Sequence, residues 1–127
     1  MRSLEQERAK FAWACVSEMQ REDEERQREY RSYVRRLPSL ILTSGLPNAL
    51  AFYMAKKGVH EIVYQHLNDW FKSGECPIAL EKDLLEWLVG EASTLQAFRA
   101  TEEALLLLGW LKRFAESELE AGEGGGE

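Results

Sequence analysis

Cysteine, histidine and long apolar runs are scarce in this sequence, and their scarcity excludes several classes of protein. The 127 residues include two cysteines, Cys15 and Cys76, and no CxxC pair. A disulfide framework or a structural zinc site would lack ligands, so both side chains are expected to be ordinary thiols. No run of about twenty uncharged apolar residues occurs, and the chain is charged from Arg2 onwards, so neither a membrane span nor a signal peptide is indicated. We expect a cytoplasmic protein that makes no membrane contact.

Sequence motifs of catalysis are also missing. The chain contains no glycine-rich phosphate loop, no GxSxG motif and no cysteine–histidine arrangement with an orienting third residue. His60 and His66 are six residues apart, a spacing that does not bring two metal ligands to one face of a helix. We interpret them as two histidines on a helix surface, with metal-assisted hydrolysis as a minor alternative. The sequence indicates no enzyme, no metal and no cofactor.

The alternation typical of strands is not sustained anywhere, and apolar residues instead recur at helical intervals of three and four. The sequences SLEQ and STLQ place Ser3 and Ser93 three residues before Gln6 and Gln96, which is the spacing of a helix capping box. The predicted fold is all-α, a single compact bundle of about six or seven helices in residues 1–120. Residues 121–127 are acidic and glycine-rich, which predicts a flexible tail. The main predicted helices cover residues 4–22, 24–37, 47–57 and 94–119, with further helical segments in 60–74 and 80–90.

The segment RRLPSLILTSGLPNALAFY, residues 35–53, joins a charged pair to two apolar runs. Pro38 disfavours helical geometry at Leu37, so the preceding helix is expected to bend or end there. A short apolar turn of helix then closes at Gly45, where glycine suits a left-handed backbone. We expect this segment to bury its apolar residues and to hold Arg35 and Arg36 at the rim.

The net charge of −6 does not by itself exclude a nucleic-acid partner. Five glutamates lie in residues 116–127, which contain no basic residue, so the rest of the chain is close to neutral. Binding to phosphate depends on local clustering of basic residues more than on the total charge. A local cationic surface is therefore compatible with this composition.

Arginines of the second predicted helix are the main candidates for such a surface. Arg28, Arg31 and Arg35 share one face of that helix, and Arg36 lies beside them. A guanidinium group can donate paired hydrogen bonds to phosphate oxygens, which favours RNA binding. The alternative is that the arginines form ion pairs along a solvated face. The carboxylates available for such pairs are Glu24, Glu25 and Glu29.

Two further basic pairs are weaker candidates. Lys56 and Lys57 close a predicted helix, where the helix dipole already favours a cation without any ligand. Lys112 and Arg113 interrupt a leucine-rich helix and are able to reach a partner or RNA. Glu116 and the acidic tail are equally able to satisfy the charge of that second pair.

Three stretches of the chain resemble a known family. They are ERAKFAW near the N-terminus, then EYRSYVRRLPSLILTSGLPNALAFY, then TEEALLLLGWLKRFAESEL near the end. Their order is similar to that of the small subunit of the type III-B, Cmr-type, CRISPR RNA-guided effector complex, over most of residues 4–119. The resemblance implies an all-helical, non-catalytic subunit of antiviral defence that stacks in a row and helps to hold target RNA. The partners it implies are the backbone and large subunits, guide and target RNA, and neighbouring copies of the chain itself.

Two hypotheses therefore stand at the level of sequence. In the first, which rests on the resemblance, the chain contacts target RNA mainly through the four arginines of residues 28–36. In the second, the chain is a protein-only helical adaptor whose arginines pair with acidic patches on partner subunits and never touch RNA.

Overall fold

A computed structural model describes residues 2–122, and in this range the chain forms six helices and no strand. The helices are α1 (Leu4–Met19), α2 (Glu24–Ser44), α3 (Leu46–Lys56), α4 (Gly58–Phe71), α5 (Leu84–Gly90) and α6 (Thr94–Glu118). The predicted all-α bundle is confirmed. None of the described helices is both long enough and apolar enough to cross a membrane. Most of the predicted tail, residues 123–127, lies outside the described residues, so that prediction stays a prediction.

The longest helix, α6, packs along both α1 and α2. Its first turn has the predicted capping box, in which Ser93 Oγ accepts from Gln96 N at 3.1 Å and Gln96 Oε1 accepts from Ser93 N at 2.8 Å. Alanines share its buried face with leucines, which allows the neighbouring helices to approach closely. The buried apolar residues of α6 are Ala100, Ala104, Leu107, Leu108, Leu111 and Ala115.

A buried ion pair fastens α1 to α6. The Arg8 guanidinium donates from Nε and Nη2 to the two carboxylate oxygens of Glu103, both at 2.7 Å. Trp70 Nε1 of α4 donates to the same carboxylate at 2.9 Å. Three helices therefore meet at one fully hydrogen-bonded acidic group, as a charge buried in a protein requires. The sequence pattern contained no indication of this pair.

The structure corrects one of the two outcomes predicted at Pro38, a helix end. Helix α2 does not end at Leu37 but continues through Pro38 to Ser44. Proline lacks the N–H that would bond the carbonyl one turn earlier, which disfavours a helix interior. Val34, Leu37 and Ile41 are all buried at helical spacing on the two sides of the proline. The continuous apolar stripe packs into the core, and this burial outweighs the lost hydrogen bond.

The junction between α3 and α4 is tight, because one helix ends and the next begins within two residues. Lys57 has φ 61° and ψ −170°, a backbone conformation that is strained for any residue except glycine. Gly58, with φ 59°, follows the end of α3 in a left-handed conformation and is also the first residue of α4. The backbone conformation at this junction determines how α3 and α4 are oriented relative to each other.

Candidate nucleic-acid interface

An open groove of about 470 Å³ lies between the C-terminal half of α2, the middle of α3 and the first turn of α4. Because α2 continues past Pro38, residues on both sides of the proline line the same wall. The opposite wall comes from α3 and from His60 in the first turn of α4. The lining residues are Arg35, Arg36, Ser39, Leu40, Thr43, Phe52, Tyr53 and His60.

The cations at this groove lie against aromatic rings. The Arg36 guanidinium carbon is 5.4 Å from the centroid of the Tyr33 ring, and Lys56 Nζ is 5.4 Å from the centroid of the Phe52 ring. Arg36 also donates from Nε and Nη2 to Ser32 Oγ at 3.2 and 3.0 Å. Ring contacts of this kind hold a cation in place without neutralising its charge. The charges of Arg36 and Lys56 are thus fixed but still able to attract an anion.

His60 lies within the aromatic part of the groove. Its ring stacks on Tyr33 with centroids 3.6 Å apart and meets the Tyr53 ring edge-on at 4.8 Å. Tyr53 is itself anchored, because its hydroxyl donates to the Tyr33 carbonyl at 2.8 Å. Burial lowers the pKa of His60, and the nearby charges of Lys56 and Arg36 lower that pKa further. The contributions of Lys56 and Arg36 show that two positive charges act on this ring.

The first half of the predicted arginine face is committed to contacts within the chain. Arg31 Nη1 donates to the carbonyl oxygens of Glu116 at 2.8 Å and Leu119 at 3.3 Å, at the C-terminal end of α6. Arg28 Nη1 lies 3.8 Å from the Glu24 carboxylate, one turn earlier in α2. The predicted alternative of ion pairing therefore occurs at Arg28.

The other predicted basic residues are spread over separate surfaces. Lys57 lies at the strained junction, with its Nζ 3.9 Å from Glu61. Lys112 and Arg113 are exposed near the end of α6. Arg113 lines a shallow depression with Glu5, Leu106 and Trp110, not the groove of α2 and α3. The structure thus brings Arg35 and Arg36 together with Lys56, and leaves the remaining predicted cations elsewhere.

The two histidines occupy different surroundings, and one of them corrects the sequence analysis. His66 is buried instead of lying on the helix surface. Its Nδ1 is 2.7 Å from the Tyr30 hydroxyl, and its Nε2 is 2.9 Å from Glu18 Oε1, so the ring links α4 to α1 and α2. His60 contacts neither of these partners. Within the described chain, no group of three or more histidine, cysteine or carboxylate side chains is able to hold a metal ion.

The outer surface of α6 has a different character from the groove. Leu95, Phe98 and Leu106 are exposed by 57%, 60% and 47%. Phe98 follows Leu95 by three residues, about one helical turn, and Leu106 follows Phe98 by eight residues, about two turns. The three side chains therefore lie on the same side of the helix. Helical spacing alone did not separate these residues from the buried ones in the leucine-rich sequence. This apolar side of α6 is suited to contact with another protein.

Comparison with known proteins gives the family. The family model described as CRISPR-associated protein (Cas_Cmr5) matches residues 4–118. The chain belongs to the Cmr5 family. This membership confirms the resemblance to the small subunit of the type III-B, Cmr-type, CRISPR complex.

This chain is similar in sequence and in structure to Cmr5 proteins from Thermus thermophilus. The CRISPR system Cmr subunit Cmr5 of that organism is 34% identical over 95 residues, covering 72% of this chain and 76% of the relative. A crystal structure of a CRISPR-associated Cmr5 family protein from the same organism has a TM-score of 0.75 and 33% identity. That comparison covers 94% of this chain and all of the solved chain. The groove and every predicted basic residue lie inside the range that the Cmr5 family model matches.

Proposed function

We propose that this chain is a non-catalytic small subunit of a type III-B CRISPR ribonucleoprotein complex in antiviral defence, and that it helps to hold target RNA. The observation that carries this proposal is a groove lined by Arg35, Arg36 and aromatic rings, with Lys56 lying against the groove residue Phe52. Basic side chains beside the exposed ring of Phe52 suit an RNA strand, because the cations attract phosphates and the ring offers a face for a base or ribose.

The contribution of one copy to RNA affinity is expected to be small. Three cations on an otherwise acidic protein release few counterions from RNA. Several copies stacked along the guide–target duplex would multiply this effect, since linked weak sites raise the effective concentration for one another. The proposed partners are the backbone and large subunits, guide and target RNA, and neighbouring copies of the chain.

The groove is a stronger candidate than the other predicted contacts. Arg31 holds the end of α6, and Arg28 does not line the groove, so we assign them a smaller share of RNA binding. Lys57, Lys112 and Arg113 are candidates for contacts made only in the assembled complex.

The decisive test reverses the charge of the groove in the assembled complex. We expect Arg35→Glu with Arg36→Glu to leave the helical content intact and to weaken target capture. The slope of log affinity against log salt should fall in magnitude by about 1–2, one for each lost phosphate contact. The matched control is Lys10→Glu with Arg21→Glu, which makes the same charge change at exposed residues away from the groove. Unchanged capture by the groove variant, or equal loss in the control, would overturn the RNA-holding role.

A protein-only adaptor is the second candidate, and the exposed apolar residues of α6 favour it. In that case partner subunits would recruit the chain equally well after nuclease treatment, and crosslinking would join no RNA to it within the complex. Leu95→Ser with Phe98→Ser would then reduce recruitment, whereas the groove variant would not.

A further inference from the structure

We propose that the groove binds a phosphodiester group of RNA with His60 in its protonated form, so that RNA binding takes up a proton at this imidazole. This inference rests on the proposed function and adds to it the ligand group and a dependence on pH. The geometry that carries it is the placement of one titratable ring between two tyrosines at the edge of a cationic groove.

The ring of His60 is fixed in position but has free hydrogen-bonding capacity. Tyr33 stacks on one face and Tyr53 packs against it at 88°, so the ring has little freedom to turn. Its nitrogens make no hydrogen bond to any residue in 2–122, whereas both nitrogens of His66 are engaged within the protein. A protonated imidazole offers two N–H donors, which a phosphate oxygen is able to accept.

The charged groups around His60 are predominantly positive. From α2, Arg36 raises the local potential and Arg35 lines the groove, while Glu29 acts on the neighbouring Tyr33. From α3, Lys56 contributes a second positive charge, and Tyr53 is the titratable group in ring contact. At the α3–α4 junction and in the first turn of α4, Lys57 and Glu61 form an ion pair with each other.

The sign of the pH dependence follows from these charges. In the free protein, burial and two cations keep the pKa of His60 below its ordinary value, so the ring is neutral at pH 7. A bound phosphate would offset the cations and favour the imidazolium, which raises the pKa in the complex. Whatever raises the pKa on binding must by linkage tighten binding as the pH falls. RNA should therefore bind more tightly at about pH 5.5 than at about pH 8.

RNA fits the groove better than an acidic protein segment does. Phe52 is 48% exposed at the rim and Tyr33 forms part of the ring stack, so apolar ring surface lies beside the cations. Ribose and base can cover such surface while the phosphate meets the charges, whereas a run of aspartate or glutamate carries little that would cover it.

The first experiment follows the two histidines of the full chain by NMR during pH titration. With a short oligouridylate at about millimolar concentration, we expect the pKa of His60 to rise by about one pH unit, equivalent to about tenfold tighter binding of the protonated form. His66, which contacts Tyr30 and Glu18 away from the groove, is the internal control, and its ring signals should not change when the oligouridylate is added. An unchanged pKa of His60 would overturn the inference. An equal rise with polyglutamate, or with inorganic phosphate at the same ionic strength, would also overturn it.

The second experiment separates this inference from the proposed function in the assembled complex. His60→Phe keeps a flat ring against Tyr33 but cannot take up a proton, so target capture should lose part of its increase between about pH 8 and about pH 5.5. His60→Gln is the polar counterpart and checks that the loss does not depend on packing. Equal pH dependence in wild type and both variants, with capture still sensitive to Arg35→Glu and Arg36→Glu, would overturn only the role of His60. Capture insensitive to the arginine variant would overturn the proposed function itself.

Discussion

Arg8 and Arg36 have the same side chain, but their surroundings give them opposite roles. Arg8 is buried, and its guanidinium makes a two-fold contact with Glu103, which also accepts from Trp70. Arg36 is exposed, and it lies over an aromatic ring and beside a serine hydroxyl. A cation in this protein therefore serves structure where a carboxylate contacts it in the core. It is available to a ligand where only neutral groups hold it at the surface.

Arg31 is intermediate between these two cases. It belongs by sequence to the same face as Arg35, yet its guanidinium reaches the carbonyl oxygens that end α6. A positive charge at a helix C-terminus is favourable because of the helix dipole. One face of α2 is thus divided between holding the bundle together and lining the groove.

The largest expected effect comes from breaking the buried pair. Glu103→Ala leaves the Arg8 guanidinium buried without its main partner, and we expect the free energy of unfolding to fall by about 3–5 kcal/mol. Urea denaturation followed by circular dichroism measures this loss. Glu5→Gln is the matched control, because Glu5 also contacts Arg8 but is exposed, and it should cost less than about 1 kcal/mol. A small loss in Glu103→Ala would contradict the structural role assigned to the pair.

The next effect concerns Arg31, whose surroundings are intermediate between those of Arg8 and Arg36. Arg31→Ala removes hydrogen bonds from a charged donor to two carbonyl groups, so unfolding should become easier by about 1–2 kcal/mol. Arg28→Ala, which removes only a long surface ion pair on the same helix, should change stability by less than about 0.5 kcal/mol. The same denaturation assay compares them. Equal losses would mean that the contact between Arg31 and the end of α6 does not stabilise the bundle.

The third effect concerns the backbone strain at the α3–α4 junction, beside the groove. Lys57→Gly relieves the unfavourable backbone at the α3–α4 junction, and we expect stability to rise by about 1 kcal/mol. Gly58→Ala places a side chain at φ 59° in the next position and should lower stability by about the same amount. Thermal unfolding of the two variants checks the opposite signs. A loss of stability in Lys57→Gly would show that its ion pair with Glu61 matters more than the backbone strain.

The smallest effect concerns how the free energy of unfolding changes through His60 as the pH falls. The pKa of His60 is lower in the folded chain than in the unfolded chain, so the folded state binds fewer protons at this ring. His60 contributes fully to the free energy of unfolding above about pH 6.5, which is its pKa in the unfolded chain. This contribution is lost as the pH falls below that value towards the lower pKa of the folded chain. We therefore expect His60→Phe to lose less stability than wild type between about pH 7.5 and about pH 5. Identical pH profiles would show that His60 does not couple to folding.

The sequence predicted much of the fold, because local signals and global packing agree along most of the chain. The capping boxes at Ser3 and Ser93 mark the starts of α1 and α6 as the structure has them. The predicted helix end at Leu37 was wrong, because local backbone preference opposed helix formation there and burial of the flanking residues outweighed it. The prediction was also wrong at His66, since spacing along one helix does not reveal which side the other helices cover.

For the candidate site, the sequence identified the charged residues but not the way they are divided. It placed Arg35 and Arg36 at the rim of the 35–53 segment, and the groove does lie there. It offered no reason to separate Arg31 from Arg35, or to bring His60 to Tyr33, because those contacts join residues far apart in sequence. Contacts between distant residues depend on how helices are arranged in space, and residue spacing does not contain that information.

The sequence by itself thus determined an all-α protein with helix starts at particular serines, two thiols without ligands and a family membership carried by its packing motifs. These features follow from local hydrogen bonding and from the periodicity of apolar residues, which act within a few turns of helix. Only the tertiary structure decided which charges became structural and which line the groove. Burial, carboxylate partners and aromatic neighbours are set by the packing of α1, α2, α3, α4 and α6 against one another, and these surroundings determine what an arginine or a histidine can do.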